Sequence, residues 1–191
     1  LPVDAGDRTY VYLTQKTCRP ELMFERNLWR GVVVIRDPRD VLVSLFHYMK
    51  GDHFVSTFGP HHKFDTIESM YTQYFRPYFT WSLGTGFSGL PEGYIRWGWP
   101  VVRYEDLWED PARELRRLFA RWAIEVPEEK IQAAVEANSL DNMRAGKGNV
   151  RAEVQKAHHF RRGGWGSFLD ELPEAVLADF EQRYIDDLRN W

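Results

Sequence analysis

The period of the apolar positions changes several times along the chain, and each change marks an element. Val32, Val33, Val34 and Ile35 form an unbroken apolar run rich in β-branched side chains, the pattern of a strand buried on both faces. Val41, Leu42, Leu45, Phe46 and Met49 then recur at helical spacing, so a core-facing helix follows the strand directly. Asp37 suits the cap of that helix, Pro38 its first turn and Asp40 the positive end of its dipole. Before this unit, residues 9–14 read as a short strand, 15–20 as the loop leaving it and 21–29 as a short helix. After it, residues 64–83 carry a helical pattern with Ile67, Met70, Tyr71, Tyr74, Phe75, Tyr78 and Phe79 on a broad aromatic side. Residues 100–104 predict a second strand, and 111–122 an amphipathic helix with Leu115, Leu118, Phe119 and Trp122 inward. Pro127 breaks the chain ahead of helices over 128–138 and 139–143. A last helix over 172–191 has Pro173 in its first turn and Val176, Leu177, Phe180, Tyr184 and Leu188 on its inner face.

Composition narrows the class. The 191 residues fit one domain, read here as a single unit over 1–191. A net charge of −3 leaves no broad basic field, which argues against a general nucleic-acid binder, so basic residues act locally. The single cysteine, Cys18, excludes an internal disulfide and a cysteine-based zinc site and fits a reducing, cytoplasmic setting. No run of 18 apolar residues is present to span a membrane, and no signal peptide is visible. The first residue is Leu1, which leads us to expect a fragment of a longer chain. His53, His61 and His62 fall in a loop-like stretch without carboxylate or thiol at ligand spacing, and no metal is expected there.

Chemistry concentrates at two places. Arg36 follows the apolar strand beside the first free amides of the next helix, where open α/β sheets hold ligands and helix amino termini attract anions. Arg36 and Ser44 can then both reach one phosphate; the alternative is that Arg36 pairs with Asp37 or Asp40 and Ser44 is an ordinary helix residue. The second place is 144–166, where periodicity gives way to charge and glycine, the composition of a basic solvated loop. Within it, Arg161 and Arg162 precede Gly163 and Gly164. Guanidinium groups pair bidentately with phosphate oxygens, and glycines let the backbone approach closely.

Arg36, Pro38, Arg39, Asp40 and Ser44, followed by Phe46, His47 and Tyr48, resemble the 3′-phosphate-binding segment of the sulfotransferases that use 3′-phosphoadenosine 5′-phosphosulfate (PAPS). Two further strings are similar to the same family in the same order: Tyr104, Glu105 and Asp106 with Pro111 shortly after, and Phe160, Arg161, Arg162, Gly163 in place of the late Arg-Lys-Gly signature. The resemblance implies an α/β fold, a central parallel sheet flanked by helices related to the P-loop nucleotide-binding proteins and incomplete at its amino terminus. It implies PAPS as co-substrate, adenosine 3′,5′-bisphosphate as product and no metal. Arg36, Ser44, Arg161, Arg162 and Gly163 would hold the 3′-phosphate, with Tyr104 and Ser139 near the adenine. Lys16, Thr17 and Cys18 stand where the family has Lys-Thr-His, so Lys16 and Cys18 take the catalytic positions and a thiol replaces the base.

Two departures bear on activity. A thiol with a pKa near ~8.5 is a poorer base at neutral pH than an imidazole near ~6.5. The family's glycine-containing loop, typically Pro-Lys-Ser-Gly-Thr, occurs nowhere in these 191 residues. The expected activity is sulfuryl transfer from PAPS to a hydroxyl or amine of a small organic, lipid or carbohydrate acceptor. The alternatives are a non-catalytic nucleotide- or partner-binding descendant of that family and another α/β nucleotide-dependent transferase.

Overall fold

Two short strands lie side by side, β1 (Val33–Ile35) and β2 (Val101–Arg103), in a computed structural model that describes residues 31–50, 64–79, 98–145 and 163–189. They are parallel, with Val33 opposite Val101, Val34 opposite Val102 and Ile35 opposite Arg103. Parallel neighbours need a crossover, and the described part of the 65 residues between them includes three helical elements. The expected strand at 9–14, the helix at 21–29 and residues 146–162 of the expected basic loop lie outside the described residues.

Helix α1 (Pro38–Met49) begins as its sequence predicts. Asp37 caps it, its carboxylate accepting the amide of Arg39, Pro38 fills the first turn, and Asp40 adds negative charge there. Its inner face is Leu42, Val43, Phe46 and Met49. Helix α2 (Ile67–Met70) opens with a capping box between Thr66 and Ser69. Here the structure departs from the single α-helix expected over 64–83, because α2 passes into a π-helical segment, Tyr71–Phe79. Pro77 lies inside that segment; it has no amide to donate and its ring crowds the carbonyl four residues back, so a regular α ladder cannot run through it.

Beyond β2 the chain turns without a linker into α3 (Tyr104–Glu109), then α4 (Pro111–Arg121), α5 (Glu128–Ala137) and α6 (Leu140–Arg144). Asp110 caps α4 through the amide of Arg113. The chain closes with α7 (Phe168–Glu171) and α8 (Glu174–Arg189). One core joins segments far apart in sequence: Leu42, Phe46 and Met49 of α1, Met70, Tyr71 and Phe75, and Phe168, Val176 and Phe180. Among the described residues no helix is long and apolar enough to cross a membrane, and no cluster of three metal-ligating side chains occurs.

Candidate anion-binding site

Because β1 and β2 are parallel and in register, the residues that follow them, Arg36 and Tyr104, emerge side by side at the carboxyl end of the pair. The guanidinium carbon of Arg36 lies 4.5 Å from the centroid of the Tyr104 ring, a cation–π stack. Its Nη2 donates to the carbonyl of Gly164 over a long 3.4 Å, and its Nε is buried with no hydrogen-bond partner among the described residues. An unmade hydrogen bond of that kind costs about 1–3 kcal/mol, so this cation is poised to take an acceptor.

The three carboxylates near it are all engaged elsewhere. Asp37 receives Arg39 twice, Nη2 at 2.7 Å and Nε at 3.0 Å, as well as the Arg39 amide at 2.8 Å. These bonds, Asp37 first, hold the Arg39 guanidinium in its charged form above its ordinary range against the opposing effect of burial. Arg39 also reaches Glu181 at 2.8 Å and lies over the Phe168 ring. Asp40 is fully buried; its Oδ2 accepts the amide of Gly166 at 2.6 Å and its Oδ1 the amide of Phe168 at 3.2 Å. Buried Glu105 accepts the amide of Asp37 at 2.9 Å, and its other oxygen lies 3.7 Å from Arg103. Arg36 therefore pairs with neither Asp37 nor Asp40, which resolves the alternatives left open by its sequence.

The glycine turn closes the site from the other side. Gly163 and Gly164 have φ of +67° and +94°, a backbone that side chains other than glycine rarely adopt. A β-carbon on Gly163 would collide with Leu140 and come within 2.6 Å of the Trp108 indole. Trp108, one helical turn beyond Tyr104 in α3, is nevertheless 44 % exposed. Ser139, next to Leu140, caps α6, its hydroxyl accepting the Asn142 amide at 3.4 Å.

The structure thus brings together Arg36, Tyr104, Gly163 and the Ser139–Leu140 junction. Ser44 sits exposed on α1 and makes no side-chain hydrogen bond to Arg36 or Tyr104. Lys16, Cys18, Arg161 and Arg162 lie outside the described residues. Sequence reasoning missed Asp40 as a tie to the glycine turn, Glu105 as a buried acceptor and Trp108 as a wall. The available signal was the spacing of Tyr104 and Trp108, four apart and so on one helix face.

A family model described as the sulfotransferase domain matches residues 17–191. This chain belongs to that family. The crystal structure of mouse sulfotransferase SULT7A1, complexed with PAP, superimposes with a TM-score of 0.63 at 16 % identity, over 88 % of this chain and 61 % of that one. The likeness establishes a shared α/β fold, and this sulfotransferase domain spans about three-fifths of the length of the protein it superimposes on. No curated protein matches the sequence.

Proposed function

We propose that the protein transfers a sulfuryl group from PAPS to a hydroxyl or amine of a small organic, lipid or carbohydrate acceptor. One observation carries the nucleotide part of this reading: Arg36, at the carboxyl end of paired parallel strands, stacks on Tyr104 with a buried Nε that has no partner among the described residues. A phosphate offers that Nε an acceptor and the guanidinium a counter-charge, both of which the neighbouring carboxylates deny it. Gly163 and Gly164 let backbone approach the same anion, and Arg161 and Arg162, directly upstream, add charge to it. Ser44 completes the 3′-phosphate set, while Tyr104 and Ser139 face the base.

The donor supplies an activated sulfuryl group whose bond to the 5′-phosphate breaks as the acceptor oxygen or nitrogen attacks sulfur; adenosine 3′,5′-bisphosphate leaves with the bonding electrons. Cys18, as thiolate, takes the acceptor proton, and Lys16 offers positive charge to the leaving oxygen. The 3′-phosphate is remote from the reacting bond, so its contacts position the donor. Cys18 at the place of the family's histidine favours a second reading, a domain that binds the bisphosphate without turnover.

The test is calorimetric titration of the protein and its Arg36→Ala variant with adenosine 3′,5′-bisphosphate, using ADP as control. Each charge-assisted bond contributes about 1.5–3 kcal/mol, so the variant should bind tens of fold more weakly. Equal binding of ADP, or full affinity in the variant, would overturn the assignment. Mass detection of sulfated product from PAPS and a panel of phenols, amines and sugars then separates turnover from binding alone.

A further inference from the structure

We infer that Asp40 is the positioning residue of the anion site: it holds the Gly163–Phe168 segment against α1, so that Arg36 and the glycine turn face one phosphate. The inference rests on the nucleotide reading above and names how that site is assembled.

Asp40 is 1 % exposed, yet it is a carboxylate, and burying one is costly unless its oxygens are satisfied. Each oxygen is satisfied by one backbone amide from the far end of the chain, Gly166 at 2.6 Å and Phe168 at 3.2 Å. It lies on the first turn of α1, where the helix dipole also favours the charge. The two amides bracket the end of the glycine turn and the start of α7. Four residues before Asp40, on the same chain segment, Arg36 reaches the carbonyl of Gly164. The segment is therefore gripped at three successive points: Gly163 by Leu140 and Trp108, Gly164 by Arg36, and Gly166 with Phe168 by Asp40.

The three grips differ in kind. Packing around Gly163 is apolar, and the 3.4 Å contact of Arg36 is weak and is the bond that an incoming anion competes for. The Asp40 bonds are charge-assisted and make no use of Arg36, so they persist when Arg36 turns to a ligand. Without them only the apolar packing of Gly163 would hold the segment opposite Arg36, and ordering its remainder would oppose every binding event. Asp40 touches neither the phosphate nor the reacting group.

Asp40→Asn keeps the shape, but its amide nitrogen faces a backbone donor. The expected result is selective: affinity for adenosine 3′,5′-bisphosphate falls about tenfold or more, while affinity for adenosine 5′-monophosphate, which lacks the 3′-phosphate, is unchanged. A variant that loses both affinities in parallel, or neither, while the unmutated protein discriminates between the two nucleotides, would overturn the inference and leave the nucleotide reading standing. An unmutated protein that does not prefer the bisphosphate would overturn the nucleotide reading and this inference with it. Amide hydrogen exchange on the unmutated protein gives a readout that does not depend on the variant folding. Linkage requires that the bisphosphate, but not the monophosphate, slow exchange at Gly166 and Phe168. Exchange there that the bisphosphate leaves unaltered would rule Asp40 out as the positioning group.

Discussion

Gly163 and Gly98 separate two effects that a glycine substitution usually confounds. Both have positive φ, +67° and +80°, but no described residue lies within 4 Å of a β-carbon built on Gly98, whereas one on Gly163 would run into Leu140 and Trp108. Gly98→Ala should therefore cost only the left-handed backbone, about 1–2 kcal/mol. Gly163→Ala should cost that and a further ~1–3 kcal/mol of overpacking, and it should weaken bisphosphate binding where Gly98→Ala does not. Urea denaturation and calorimetry on the two variants check both parts. At this scale the sequence was informative about backbone and uninformative about partners. The change from an apolar run to a capped helix located Arg36, and Pro38 with Asp37 located the cap. Nothing near position 40 announced that its carboxylate would bond residues 126 and 128 positions later.

Elements whose reasons are local formed as expected. Helix α1 has its cap, proline and apolar stripe within 13 residues, α4 repeats the capping aspartate and first-turn proline with Asp110 and Pro111, and α5 starts directly after Pro127 without a side-chain cap. The π-helical segment was not expected, because an apolar stripe read at 3.6 spacing does not register how Pro77 changes the ladder beneath it. Helices α4 and α5 are joined across their turn by Arg116, which reaches both oxygens of Glu128 at 3.0 and 2.8 Å. The bond from Arg116, then that from Gln132, pull the Glu128 carboxyl down from its ordinary 4.5 to about 2. A carboxylate depressed on folding contributes stability that is complete above 4.5 and lost as the pH falls toward 2. Glu128→Gln should thus be slightly less stable than the unmutated protein at neutral pH, and the gap should close across that window. The effect is small because the pair is exposed, and it should shrink further at high salt in denaturation curves.

At the scale of the whole molecule, stability depends on a core that no single segment builds. Phe180 is fully buried, with its ring centroid 5.8 Å from Phe75 and 6.1 Å from Tyr71. Phe180→Ala should lower unfolding free energy by about 3–5 kcal/mol, because the rings around it cannot close the space it leaves. Equilibrium urea denaturation checks this; a loss well below 1 kcal/mol would mean that α8 is not integral to the core. The apolar stripe containing Val176, Leu177 and Phe180 was legible in advance, since amphipathic spacing needs no knowledge of the partner. That the stripe would meet Tyr71 and Phe75 was not legible.

The sequence by itself determined β1, helices α1, α4, α5 and α8, the cap of α1, the apolar faces of these helices and that one arginine stands at a strand end. These depend on neighbours within a few residues, through backbone geometry and side-chain period. Only the tertiary structure decided that β1 pairs with β2 in the register that sets Arg36 beside Tyr104, and that Asp37, Asp40 and Glu105 each bond something other than Arg36. Those outcomes are set by competition among charges and amides brought together from residues 31–50, 98–110 and 163–168. Which partner each group takes depends on distances that exist only once the chain has folded.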